Sequence, residues 1–124
     1  MELKVLQQEF TVCKVKELSE CDLRGEFCFV GKTDEELSLV CAVDRAPKET
    51  LEREDGWRAF RIQGVLDFSL VGILARISSL LAEKGVGIFA ISTFNTDYIL
   101  IKNEQFPKAI GALKEAGYHM IGDK

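Results

Sequence analysis

Gly64-Val65-Leu66-Asp67-Phe68-Ser69-Leu70-Val71-Gly72-Ile73-Leu74-Ala75-Arg76-Ile77-Ser78-Ser79-Leu80-Leu81-Ala82-Glu83-Lys84-Gly85 decides how this chain is read. A glycine-bounded loop feeds a segment in which Leu70, Ile73, Leu74, Ile77, Leu80 and Leu81 recur at helical spacing. The pattern predicts an amphipathic helix from Ser69 to Lys84, with Gly85 supplying the left-handed stop. Upstream, Trp57, Ala59 and Arg61 alternate with Arg58, Phe60 and Ile62 between Gly56 and Gly64, as in a strand between two punctuations.

Downstream, Val86 to Phe94 is nearly continuous in β-branched and aromatic residues, which predicts a strand covered on one face and paired on both edges. Asn95-Thr96-Asp97 turns the chain into a strand at Tyr98-Ile99-Leu100-Ile101. Asn103 can cap a second helix, Glu104 to Ala116, with Phe106, Ile110 and Leu113 on one face, Pro107 in its first turn and Gly117 at its end. A last strand follows at Tyr118 to Ile121. Residues 57 to 121 thus run strand, helix, strand, strand, helix, strand, a split βαβ pair that predicts one α+β sheet with both helices on a single face.

The first half reads differently. Leu3 to Lys16 has strand character, and a break near Gln7-Gln8-Glu9 would make it a hairpin. Glu26 to Val30 is a short apolar run, and Thr33-Asp34-Glu35-Glu36 has capping-box spacing, with room for about one helical turn behind it. Leu37 to Val43 reads as a strand and Asp44 to Thr50 as a loop around Pro47. This half holds no long amphipathic helix. We expect residues 1–55 to form a reduced, strand-rich half and residues 56–124 a complete domain, with the boundary near Gly56.

With 124 residues, 47% hydrophobic and 29% charged, the composition is that of one folded globular domain or two small ones sharing a core. Sixteen basic and twenty acidic residues give a net charge of -4, and no basic stripe with interleaved aromatics appears, so nucleic acid is not an expected partner. No stretch approaches the roughly 18 apolar residues of a membrane span, and the first residues lack a secretory pattern, so a cytoplasmic protein with no membrane partner is expected. Cys13, Cys21, Cys28 and Cys41 match neither a redox pair nor a paired zinc pattern. Three fall on predicted strands, where cysteine acts as a small hydrophobe, so reduced structural thiols and no metal are expected.

Material for catalysis is thin. His119 is the only histidine, in the predicted last strand and far in sequence from any candidate nucleophile, so no catalytic residue and no cofactor are assigned. Asp67 and Asp97 sit where strands hand over to a helix entrance or a turn. Asp67 or Ser69 could cap the helix and Asp97 could close a turn through its own backbone. The same positions could also hold an α-amino acid, its carboxylate on free helix N–H groups and its ammonium on an aspartate. Gly72 in the first helical turn costs about 1 kcal/mol against alanine, which either a ligand or tight packing would offset. Trp57 and Phe94 are open to stacking on a ligand or to core and interface roles.

At Gly64 to Leu74, and again at Gly87 to Tyr98, the sequence resembles the ACT domain family, above all small stand-alone proteins with two ACT-like halves. Asp34 to Cys41 and Gly56 to Phe60 are similar to the same subgroup, and Ser92-Thr93-Phe94-Asn95-Thr96-Asp97 is similar to a segment of cytosolic arginine sensors. The resemblance, which extends to aspartokinases, implies a ferredoxin-like βαββαβ fold and regulation without catalysis. It implies a small-molecule ligand, an amino acid, at an interface between ACT domains or in a homodimer. Carried over residue by residue, the ligand site comprises Leu66, Asp67, Phe68, Ser69, Leu70, Val71 and Gly72 of the loop and Thr93, Phe94 and Asp97 of the strand pair. With nothing attached to it, the chain would act by pairing with itself or with a separate protein target. A structural dimerisation module without ligand is the alternative. An acylphosphatase-like enzyme is disfavoured, because residues 64 to 72 contain no Arg or Lys to compensate a phosphate.

Overall fold

The computed structural model describes residues 1–63 and 72–122. Its strands are β1 (Glu2–Lys14), β2 (Cys28–Lys32), β3 (Leu37–Ala42), β4 (Glu52–Gln63), β5 (Phe89–Ser92), β6 (Asp97–Lys102) and β7 (His119–Ile121). Two helices, α1 (Ile73–Glu83) and α2 (Phe106–Glu115), accompany them. The chain divides into two compact units: Met1–Gln7 with Arg58–Lys124, the helical unit, and Gln8–Trp57, the strand unit. β1 and β4 contribute to both.

In the helical unit, β4 lies between β1 and β6, and β5 lies beyond β6. Ile73, Ile77 and Leu81 of α1 and Phe106, Ala109, Ile110 and Leu113 of α2 form one core with Leu3, Val5, Phe60, Ile62, Ile99 and Ile101 of the sheet. Both helices therefore cover one face, as the periodicity requires. Each ends in the same way: Val86 N–H reaches Leu81 O at 2.9 Å and Gly85 N–H reaches Ala82 O, while Tyr118 N–H reaches Leu113 O and Gly117 N–H reaches Lys114 O. These paired 6→1 and 5→2 bonds satisfy carbonyls that a helix end leaves orphaned.

Several expectations need correction here. β7 pairs in parallel with β1, Glu2 opposite His119 and Lys4 opposite Ile121, so the first residues of the chain stand where a simple split βαβ pair would bring its own first strand. β1 is one strand of 13 residues and not a hairpin. Gln7 and Glu9 are exposed within it, so their polarity reports solvated positions of a continuous strand and not a turn. Among the described residues β5 pairs with β6 alone, and it is four residues long because Val86 and Ile88 pack into the core ahead of it. Gly56 falls inside β4, which begins at Glu52 through a polar stretch whose solvent-facing residues carry no hydrophobic signal. α1 begins at Ile73, not Ser69, because Gly72 is left-handed at φ +84. Asn103 opens a short 3-10 turn, Asn103–Gln105, and the α-helix starts behind it.

In the strand unit, β3 pairs antiparallel with β1 and β2 with β3. Thr33-Asp34-Glu35-Glu36 is the β2–β3 turn and no helix follows it; Thr33 Oγ1 accepts Glu35 and Glu36 N–H at 3.1 and 3.2 Å. Cys13, Val15, Leu37, Leu39 and Cys41 form its core, against which Cys21, Cys28 and Ala46 pack. The four thiols are free and occupy one small cluster, Cys28 facing Cys41 across the ladder. Burial pushes the Cys41 thiol up to about 12, with neighbouring thiols adding to the rise. Folded Cys41 thus keeps a proton that the unfolded thiol releases near pH 9, so stability should fall as pH rises from about 9 to about 12. Cys41→Val should flatten that decline in urea titrations at stepped pH; identical slopes would refute the assignment.

The two units share a local design. Thr33 N–H donates to Glu36 O at 2.9 Å, and sixty positions on Thr93 N–H donates to Thr96 O at 2.9 Å. Lys32 faces Leu37 as Ser92 faces Asp97, and the 3-10 turns Val43–Arg45 and Asn103–Gln105 keep the same offset. Pro47 and Pro107 keep it too. Only Lys48 to Leu51 then separate Pro47 from β4, too few for a helix, whereas α2 follows Pro107 with its apolar face.

Candidate functional site

The loop between β4 and α1 and the turn between β5 and β6 carry the site expected from sequence. Leu66, Asp67, Phe68, Ser69, Leu70 and Val71 lie outside the described residues. Gly72, Thr93, Phe94 and Asp97 lie within them.

Gly72 is the N-cap of α1, with no side-chain cap bond, and its carbonyl accepts Arg76 N–H at 2.9 Å. A positive φ is costly for any residue with a Cβ, so backbone conformation explains a glycine here, in place of the first-turn penalty expected from sequence. A Cβ would also meet Arg76 Nη1 at 3.7 Å. The N-cap position is therefore Gly72, while Asp67 and Ser69 lie outside the described residues.

Thr93, Phe94 and Asp97 come together on the β5–β6 turn. Thr93 closes it twice, its hydroxyl donating to Thr96 O at 2.9 Å and accepting Thr96 N–H at 3.3 Å. Asp97 does not close the turn through its own backbone; its Oδ1 accepts Ser92 Oγ–H at 2.6 Å from the facing position of the ladder. Thr96, 8% exposed, donates from Oγ1 to Ile62 O at 2.8 Å. Ile62 lies two positions before residue 64, so this buried bond ties the turn to the end of β4. Beside it, Arg61 Nη1 donates to Tyr98 OH at 3.3 Å and Arg61 Nε to Gln63 Oε1 at 3.0 Å.

Phe94 is 94% exposed. Its counterpart in the other turn is Asp34, and that turn closes with the same backbone bond. The other turn closes without an aromatic residue, so Phe94 is not required to close this one. Trp57, the other aromatic singled out in the sequence, is half-buried in β4.

Sequence reading missed Arg76 and Tyr118. A cleft of about 250 Å³ opens in the helical unit between the start of α1 and the end of α2, lined by Met1, Ile73, Arg76, Ala116, Gly117 and Tyr118. Arg76 and Tyr118 are more than forty positions apart and Arg76 is exposed, so neither periodicity nor spacing marks them. His119 is exposed in β7, its backbone N–H bonded to Met1 O. Among the described residues no cluster of His, Cys, Asp and Glu could hold a metal ion, and no helix is long and apolar enough to cross a membrane.

The sequence profile of the ACT domain matches residues 52–115. A protein from Agobacterium tumefaciens is 31% identical and superposes with a TM-score of 0.87 over 97% of this chain and 91% of its own. A Vibrio cholerae protein of unknown function, a possible transport protein, is 22% identical with a TM-score of 0.71 over 92% and 88%. The ligand-free regulatory subunit of aspartate kinase from Thermus thermophilus is 13% identical with a TM-score of 0.65 over 93% and 96%. At these identities the last two establish likeness of fold.

Proposed function

We propose, on the premise that the chain belongs to the ACT domain family, that it is a non-enzymatic regulatory protein that binds an amino acid. Membership of this family supports a regulatory, ligand-binding domain in general. The ligand sits against residues 66–72 and against Thr93, Phe94 and Asp97, at an interface between ACT-type domains of two copies. Phe94 is the observation that carries this reading: an aromatic side chain held in solvent on a turn that its twin builds with Asp34. An aromatic ring so exposed is available for contact with something outside the fold. Beside it stands the Asp97 carboxylate, which can receive an ammonium group.

β5 ends the strand order, and the end strand of a sheet can accept another strand, which supports pairing with a second copy. Four free thiols fit a reducing compartment, the cytoplasm.

A thermal-shift screen of the twenty amino acids tests the reading, with purines and pyrimidines as controls. A compound selective for the folded state stabilises it by RT ln(1 + [L]/Kd), about 2.7 kcal/mol at one hundred times Kd. A selective rise in Tm with one amino acid or a related group is the expected result, accompanied by dimer in sedimentation. Flat curves for all twenty would leave the structural dimerisation module as the better description.

A further inference from the structure

We propose that the cleft between α1 and α2 in the helical unit is the seat of the ligand's carboxylate, with Arg76 as its counter-charge. This rests on the amino-acid reading above and adds a place and a size to it. The cleft has one cationic side chain, Arg76, and apolar walls from Ile73 and Met1 with the ring of Tyr118. Among the described residues no acidic group pairs with Arg76 and none stands in the first turn of α1. A guanidinium presents a planar fork of donors that matches a carboxylate, which makes this group the natural partner. The opposite wall is the chain just past α2, Ala116 to Tyr118.

Size narrows the class further. At about 30 Å³ per water-sized group, roughly 250 Å³ holds about eight non-hydrogen atoms. The occupant is a small monocarboxylate with an apolar body, the size of an aliphatic amino acid or of its deaminated counterpart.

Calorimetric titration of the full chain with leucine, 4-methylpentanoate and 3-methylbutylamine tests this, on the native protein and on Arg76→Gln, Arg76→Lys and Phe94→Asp. Arg76 is exposed, so its variants should fold as the native protein does. The expected result is binding of one or both carboxylates, none of the amine, and a loss of about tenfold or more in Arg76→Gln, partly restored in Arg76→Lys. Leucine alone binding identifies an amino-acid site; both carboxylates binding identifies the carboxylate as the determinant. Carboxylate affinity unchanged in Arg76→Gln but lost in Phe94→Asp would overturn the cleft while leaving the wider reading standing. No binding by any carboxylate, there or in the twenty-compound screen, would overturn both.

Discussion

Phe94→Asp should abolish the amino-acid thermal shift while leaving the unliganded protein within about 0.5 kcal/mol of its native stability. The substitution installs the residue that the equivalent turn already carries at Asp34, so the turn itself is served by a sequence known to close it. Thr93 and Thr96 supply the hydrogen bonds of the turn, and neither depends on the side chain between them. At 94% exposure Phe94 contributes almost no buried area to the fold, so its removal forfeits little of the roughly 25 cal/mol per Å² that burial supplies. A ligand or second subunit that covers the ring would lose that area and would meet a carboxylate beside Asp97. Urea unfolding and the thermal-shift assay, run on the same samples, separate the two effects. A shift that survives in full would remove Phe94 from the site, and a stability loss above about 1 kcal/mol would mean that the ring packs on something within the fold.

The helical unit was legible because its signals are local. Ile73, Ile77 and Leu81 recur within one helix, and Gly85 and Gly117 mark the ends that the paired terminal bonds then close. What escaped notice was non-local or ambiguous. Pairing of Glu2–Lys4 with His119–Ile121 joins residues more than one hundred positions apart, and no pattern in either segment names its partner. Thr33-Asp34-Glu35-Glu36 looks like a helix start because a threonine hydroxyl accepting N–H groups two and three residues on is common to caps and tight turns. The outcome is decided afterwards, by Leu37 to Ala42 finding β1 and β2 on either side. Of the proposed site, the grouping of Thr93, Phe94 and Asp97 could be read directly, since a single turn contains it. Arg76 and Tyr118 could not, because a cleft between two helices is a product of packing.

Phe60→Ala should have the largest effect on stability, about 3–5 kcal/mol. Phe60 is fully buried in β4 and packs in one core with residues of β1, β6 and both helices, so truncation loses apolar burial and leaves a cavity that several elements would have to move to fill. Against a total of about 5–15 kcal/mol for a domain, that loss brings the protein close to its unfolding threshold. Phe60→Leu, which restores most of the volume, should cost about 1.5 kcal/mol or less. Urea titrations with an unchanged m-value are the measurement, and a loss under 1.5 kcal/mol in the alanine variant would mean that the core can collapse around the gap. Phe60 is also two residues from Ile62, whose carbonyl anchors Thr96, so a relaxed β4 would shift the turn that carries Phe94 and Asp97. Ligand response should therefore weaken in Phe60→Ala in step with stability and recover with it in Phe60→Leu, whereas in Phe94→Asp response is lost with stability intact. That contrast separates the residues that build the platform from the residue that uses it.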